Sequence, residues 1–252
     1  MKFSLVTVSF NSAPTIRDTI ESVIGQSHPD IEYLVIDGAS TDATVAIVKG
    51  YQNRIDVFIS ERDKGIYEAM NKGLRLAKGD VIAFINSDDF YADPDVISRV
   101  NSVFEATGTQ CVFADLDYVH RSDTKRVIRE WRSKPYSPGA FMRGWHPAHP
   151  TFFVKRDVFA RFGGFEEEFR IAADFELMLR FLEVRSVPSR YLPSVLVKMR
   201  DGGESNRSVM NIIKANIECY RSFAKNNLRV SPLVMIRKPL SKVGQLFAAY
   251  RA

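Results

Sequence analysis

The sequence predicts an α/β fold on a parallel sheet, and three observations lead there. Short apolar, β-branched runs recur at Phe3 to Phe10, Tyr33 to Ile36, Ile55 to Ile59, Val81 to Ile85 and Cys111 to Leu116. Segments with apolar residues at helical spacing separate them, and such alternation calls for right-handed crossovers between parallel strands. The Val81 to Ile85 run is apolar at all five positions, as a strand covered on both faces must be. With 252 residues and 45% apolar content, the chain has enough material to bury a full core.

Local chemistry places each element. Asn11 or Ser12 caps a helix after the first strand, with Pro14 in its first turn and Ile16, Ile20, Val23 and Ile24 on one face. The second strand stops at Asp37-Gly38, and Ser40 or Thr41 caps a helix running to Val48. The third strand leads into the polar loop Glu61-Arg62-Asp63-Lys64-Gly65. A helix follows with Ile66, Met70, Leu74 and Ala77 on one face and Gly79 at its left-handed end. The fourth strand breaks off in Asn86-Ser87-Asp88-Asp89, and Asp93-Pro94 opens the helix before the fifth strand.

The second half is less regular. Thr124 to Ser137 is basic and polar, a loop or hairpin, and Trp145 to Pro150 holds too much proline for a helix or central strand. Thr151 to Val154 resumes a strand. Asp157 to Phe162 forms a short helix closed by Gly163-Gly164, and Ala173 to Glu183 a helix that buries Phe175, Leu179 and Leu182. Ser205 or Asn206 caps a long helix bearing Val209, Ile212, Ile213, Ile217 and Tyr220.

Charge is local. Arg229, Arg237, Lys238, Lys242 and Arg251 stand in an acid-free tail and equal the whole net charge of +5, which argues against nucleic acid as a partner. The tail is also apolar, so it either lies on an anionic membrane surface or packs as a helix with a solvated basic face. Cys111 and Cys219 stand alone and read as two buried thiols of a reducing compartment. The N-terminus goes straight into a strand with no signal-peptide pattern, and no apolar run is long enough to span a bilayer. A cytoplasmic location is expected.

Acids stand at element ends: Asp37, Asp88 with Asp89, and Asp174. Ligands of open α/β sheets bind just beyond the strands' carboxyl ends. Two adjacent carboxylates there repel unless a cation joins them, and a divalent ion holding a diphosphate suits Asp88 and Asp89. A turn or cap carboxylate is the alternative. Asp37 sits where dinucleotide enzymes keep a ribose-binding acid, but Ser9-Phe10-Asn11-Ser12-Ala13 replaces their glycine-rich turn, and a P-loop is absent as well.

The sequence resembles the family 2 glycosyltransferases from Lys2 to about Glu183. The resemblance rests on Leu5-Val6-Thr7-Val8-Ser9-Phe10-Asn11-Ser12, Leu34-Val35-Ile36-Asp37-Gly38-Ala39-Ser40-Thr41-Asp42, Asn71-Lys72-Gly73 through Ala77-Lys78-Gly79-Asp80, and Asn86-Ser87-Asp88-Asp89. The run from Glu61 to Gly73 is similar to a bacterial subgroup that builds colanic acid, O-antigen and other exopolysaccharides. The resemblance implies a GT-A fold, a Rossmann-like nucleotide-sugar-binding sheet over residues 1–204, followed by a helical extension with a basic amphipathic tail over 205–252. It implies a UDP-, GDP- or dTDP-sugar donor, inversion at the anomeric carbon and a saccharide acceptor. The Q-x-x-R-W motif and spanning helices of processive members are missing, which favours a single transfer to a lipid-linked acceptor.

Carried over by position, Asp37 would hold the donor's base or ribose beside Ser9, Phe10 and Asn11. Asp63, Asn71 and Ser87 would line the donor pocket. Asp88 would ligate Mg²⁺ or Mn²⁺, with Asp89 sharing the role, and Asp174 would be the general base. Asn86 stands where the metal motif usually has an aspartate, and Ala173 where an acid usually precedes the base, with Glu176 as a second candidate. Asp115-Leu116-Asp117 fits the metal motif by letters but lies in an alternating strand pattern. His146 and His149 either face the acceptor or anchor their loop, and Arg200 either closes a lid over the diphosphate or marks a plain turn. A nucleotidyltransferase would need a glycine-rich loop that is lacking. A silent nucleotide-sugar-binding or scaffold protein remains the alternative from another class.

Overall fold

A computed structural model describes residues 1–202, 209–231 and 234. One nine-stranded mixed sheet forms the centre. Its strands are β1 (Phe3–Ser9), β2 (Ile31–Asp37), β3 (Val57–Ser60), β4 (Val81–Asn86), β5 (Phe90–Tyr91), β6 (Cys111–Val119), β7 (Val127–Trp131), β8 (Phe153–Lys155) and β9 (Ser189–Arg200). The order is β3-β2-β1-β4-β8-β6-β9-β5, with β7 paired to β6. β1 to β4 are parallel, β6 and β9 are parallel, and β5, β7 and β8 pair antiparallel to their neighbours. The all-parallel expectation therefore holds for the first half and gives way to a mixed sheet beyond β4.

All seven residues of β1 are buried, and they divide by parity, as successive strand residues point to opposite faces. Val6 and Val8 join one core with Leu34, Ile36, Ile82 and Phe84. Phe3 and Leu5 join the other with Val35, Val81, Ala83 and Ile85. Against this second face lie α1 (Ile16–Ile24), through Ile16, Ile20 and Val23, and α4 (Val96–Thr107), through Val96, Ile97, Val100 and Phe104. Against the first lie α3 (Ile66–Leu76) and α6 (Ala173–Leu179), which continues as a π turn over Arg180–Val184. Gly73 lets α3 approach: a Cβ there would fall 2.4 Å from Val6 Cγ1. The short helices α2 (Thr44–Lys49) and α5 (Arg156–Phe162) complete the layers, and α7 (Val209–Lys225) packs on α6.

Several expectations shift. α1 starts at Ile16 with no side-chain cap, because Asn11 is turned into a left-handed conformation instead. Asp42, not Ser40 or Thr41, accepts the Thr44 N–H at the start of α2, at 2.9 Å. On α3 Tyr67 is buried and Ile66 exposed, and on α7 Ile212, Ile213 and Ile217 are exposed while Cys219 and Phe223 are buried. The twelve-residue β9 has no counterpart in the sequence reading. The register skips from Ala114↔Leu192 to Asp115↔Val195, so the exposed Pro193 sits in a bulge where no ladder hydrogen bond is asked of it. The proposed caps Ser205 and Asn206 and most of the basic tail lie outside the described residues.

Candidate active site

The turn after β4 is held from two sides. Thr15, just before α1, and Thr19 within it donate to the carbonyls of Ser87 and Asp89 at 2.9 and 2.6 Å, and Arg200 at the end of β9 donates to the carbonyl of Asp88 at 2.7 Å. Ser87 and Ser12 also share a hydroxyl contact of 2.7 Å. With three successive carbonyls fixed, the Asp88 side chain is left partly exposed while Asp89 is fully buried and accepts from the Asn86 amide at 3.2 Å.

The two adjacent acids thus have different environments. Burial raises the Asp88 carboxyl above the usual range, and the nearby Arg121 and Arg200 oppose it. Burial and then the charge of Asp88 raise Asp89 much further, as repulsion between adjacent carboxylates requires. Asp89 is buried, bonded to Asn86 through Oδ2 and with no hydrogen bond to Oδ1 among the described residues, so Asp88 is the partly exposed acid of the pair. The expectation for Arg200 is corrected: it is 3% exposed, paired with Asp18 and placed 4.8 Å over the Phe90 ring, a fixed strut and not a lid.

On the other side of β1, Asp37 is fully buried and accepts four hydrogen bonds: Ser9 Oγ and Ser40 Oγ on Oδ1, Ser40 N and Ser60 Oγ on Oδ2. A carboxylate has about four lone-pair sites, so Asp37 and Ser9 are spent on each other's neighbourhood and are not free for a ligand. The strand ends around them are strained open: Asn11 at φ 48° and Ala39 at φ 60° both take the left-handed region without being glycine. Asn11 Oδ1 accepts the Thr41 N–H at 2.9 Å, which ties the two ends together. Such conformations cost about 1–3 kcal/mol and gather at binding sites. Phe10 beside them is 63% exposed. Asn71, expected in the donor pocket, is instead bonded through its amide to Phe165 N and O and to Glu167, and so pins the 163–167 loop to α3.

Asp174 opens α6 and is partly exposed. Tyr67 Oη lies 2.7 Å from the Ile171 carbonyl, to which it donates, and 3.3 Å from Asp174 Oδ1. Glu218 of α7 accepts three backbone N–H groups from the same approach: Arg170 at 3.1 Å, Ile171 at 2.8 Å and Ala172 at 2.9 Å. Sequence reasoning missed Glu218, since nothing local marks a helix residue that reaches another loop. Glu176, the second base candidate, is buried in a bidentate pair with Arg180 at 2.9 and 3.0 Å and also accepts from Asn226. That pairing leaves it no access to a substrate.

His149 is half-buried, stacked against Phe84 at 6.2 Å and edge-on to Phe165 at 5.7 Å. Burial lowers its pKa below 6.5 and the charge of Asp174 opposes this, so the two lie within electrostatic reach. His146 packs edge-on to Trp131 and Phe175. Burial raises the Tyr118 hydroxyl, Arg129 eases it, and the charges of Asp89 and Asp174 raise it again.

Asp115 and Asp117 have other employment. Asp115 Oδ1 accepts from Ser133 N at 2.7 Å and Tyr191 Oη at 2.9 Å, and Asp117 pairs with Arg132 at 2.6 Å. Among the described residues no cluster of three or more His, Cys, Asp or Glu side chains forms a metal cage. A single cleft-facing carboxylate fits Mg²⁺ or Mn²⁺ only in the manner of an ion brought in with a diphosphate.

Comparison with known proteins agrees with this geometry. Residues 4–161 match the model of Glycosyl transferase family 2. An uncharacterized glycosyltransferase of Mycobacterium tuberculosis is 33% identical over 179 residues, 70% of this chain and 67% of that protein. A putative teichuronic acid biosynthesis glycosyltransferase of Bacillus subtilis is 35% identical over 118 residues, 46% of each chain. The mannosyltransferase of Pyrobaculum calidifontis, solved with GDP-Man and Mn²⁺, superposes with a TM-score of 0.67 at 17% identity over 98% of this chain and 73% of that one.

Proposed function

The chain belongs to glycosyl transferase family 2 and has the GT-A fold, and from that premise we propose an inverting, non-processive transfer of one sugar from a nucleotide-sugar donor to a lipid-linked saccharide. The setting is bacterial surface-glycan synthesis, in line with the teichuronic acid relative. What supports the reading most is the division of labour between Asp88, held open on a clamped turn beyond β4, and Asp174, held on the approach to α6. Asp88 would hold Mg²⁺ or Mn²⁺ together with the donor's diphosphate. When bound, that ion stabilises charge developing on the leaving nucleoside diphosphate. Arg121 and Arg200, both within reach of Asp88, add positive charge at the same place.

Asp174 takes the proton of the acceptor hydroxyl as that oxygen attacks the anomeric carbon from the face opposite the diphosphate. The buried Tyr67 hydroxyl and the Glu218 clamp hold the carboxylate's backbone in place. In Asp174→Asn, size is kept and the basic lone pair is lost. Calorimetry should find donor affinity within about twofold of wild type, while kcat falls by about 10²- to 10⁴-fold. A kcat near normal would make Asp174 a helix cap only.

A further inference from the structure

We infer that the outward face of α7 docks on the surface of an anionic lipid bilayer, with its apolar side chains among the head groups and its basic ones against lipid phosphates. Seven large apolar side chains are exposed among the described residues, and four of them, Met210, Ile212, Ile213 and Ile217, stand within two turns of this one helix. Scattered singly, such residues need no explanation, but gathered on one element they mark a docking surface. Met210 is 58% exposed, Ile213 47% and Ile217 45%. At roughly 3.6 residues per turn these three point the same way, and the exposed Lys214 and Arg221 fall on the same stripe. Cys219, Ser222 and Phe223 take the opposite, buried side. An apolar stripe set with Lys and Arg is the pattern of a helix that lies in a membrane interface.

Charge decides the occupant. Glu218 is the only acid of α7, and it is turned to the protein, where it accepts the N–H groups of Arg170, Ile171 and Ala172. Glu166 and Glu168 of the adjoining loop pair with Lys225, and Arg221 lies 5.8 Å over the Phe169 ring. The outward stripe thus presents cations and no carboxylate of its own helix. A second copy of the chain fits it poorly. Two-fold pairing along the stripe would set Lys214 and Arg221 of one copy against those of the other, and such like-charge contacts are costly. Lipid phosphates meet the same two charges with the opposite sign, and long basic side chains reach them while their stems stay in apolar surroundings. The docking helix is also the one whose Glu218 holds the backbone just before Asp174. Docking therefore brings the proposed base to the surface that carries the lipid-linked acceptor, and to that extent the inference rests on the proposed transfer.

The test is co-sedimentation of the full chain with phosphatidylglycerol vesicles and, in parallel, phosphatidylcholine vesicles, with neither donor nor acceptor present. Wild type should bind the first more tightly. Met210→Gln, Ile213→Gln and Ile217→Gln combined should lower partitioning onto phosphatidylglycerol about 100-fold, roughly fivefold for each half-exposed side chain. All three positions are exposed, so the melting temperature should not move. The loss should persist in high salt, where basic residues are screened, and this separates α7 from the acid-free tail that follows it. Lys214→Glu should weaken binding to phosphatidylglycerol alone, by about 10- to 30-fold. Ile213→Trp should keep binding, and its added emission should move to shorter wavelength on the vesicles. Equal partitioning of the triple variant and wild type overturns the inference, as does unshifted emission from Ile213→Trp. So does a wild-type dimer that the triple variant turns into monomers without losing lipid binding, since a second copy would then cover the face. Turnover of a water-soluble acceptor is read separately: its absence in wild type sinks the transfer reading and leaves vesicle binding as it was.

Discussion

At the scale of single residues, the acids differ in what already claims them. Asp37, Asp115 and Asp117 accept from serines, a tyrosine, a backbone amide and an arginine inside the protein, and Asp89 is buried. Asp88, Asp63 and Asp174 are partly exposed, beside the strand ends or at the start of α6. Asp88→Ala should therefore abolish Mn²⁺-dependent UDP or GDP binding. Asp115→Asn should leave that binding intact and cost about 1–3 kcal/mol of stability, because the Ser133 and Tyr191 bonds are weakened. Titration with and without Mn²⁺, beside a urea melt, reads both. Equal loss of binding in the two variants would move the metal to the β6 pair.

At the scale of elements, α7 does more than cover the core. Its Glu218 fixes the backbone just before Asp174 from a distant part of the chain, so α7 takes part in setting the start of α6. Glu218→Ala should cost about 2–3 kcal/mol of stability and lower kcat roughly 10-fold, with donor affinity unchanged. Turnover measured well below the variant's melting temperature separates the two effects. Normal turnover there would leave α7 with a packing role alone.

What the sequence made legible follows the same line. β1 to β4, β6 and the helices between them could be read because each has one period and one chemistry. Asp88 could be read because a buried strand ends on it. β9 could not, since Pro193 hides in a bulge whose existence depends on the partner strand. The buried face of α7 could not either, since Ile213 and Ile217 are as apolar as Cys219 and Phe223 and helical spacing alone does not say which side meets a neighbour. Nor could the saturation of Asp37, to which Ser40 adds from three residues away but Ser9 and Ser60 are brought only by strand pairing.

At the scale of the whole molecule, no helix among the described residues is long and apolar enough to cross a membrane, so the proposed transfer to a lipid-linked acceptor calls for a surface that meets the bilayer from outside. Part of the tail belongs to the core: Val234 is buried in the same cluster as Cys219 and Phe223, and Leu228 and Val230 pack against it. The packed alternative thus accounts for Leu228, Val230 and Val234. Beyond them stand Arg237, Lys238, Lys242 and Arg251 with no acid, while Met210, Ile213 and Ile217 are exposed at helical spacing on α7. Near anionic lipid each basic residue contributes about 1 kcal/mol, so four together correspond to roughly a thousandfold in partitioning. A chain ending at Val234 keeps the buried anchor and should fold with an unchanged melting temperature. It should lose that factor in co-sedimentation with phosphatidylglycerol vesicles, and wild-type binding should weaken as salt rises. Turnover of a water-soluble acceptor should survive the cut. Unchanged partitioning of the shortened chain would exclude residues 235–252 as the membrane contact and leave α7 to be tested.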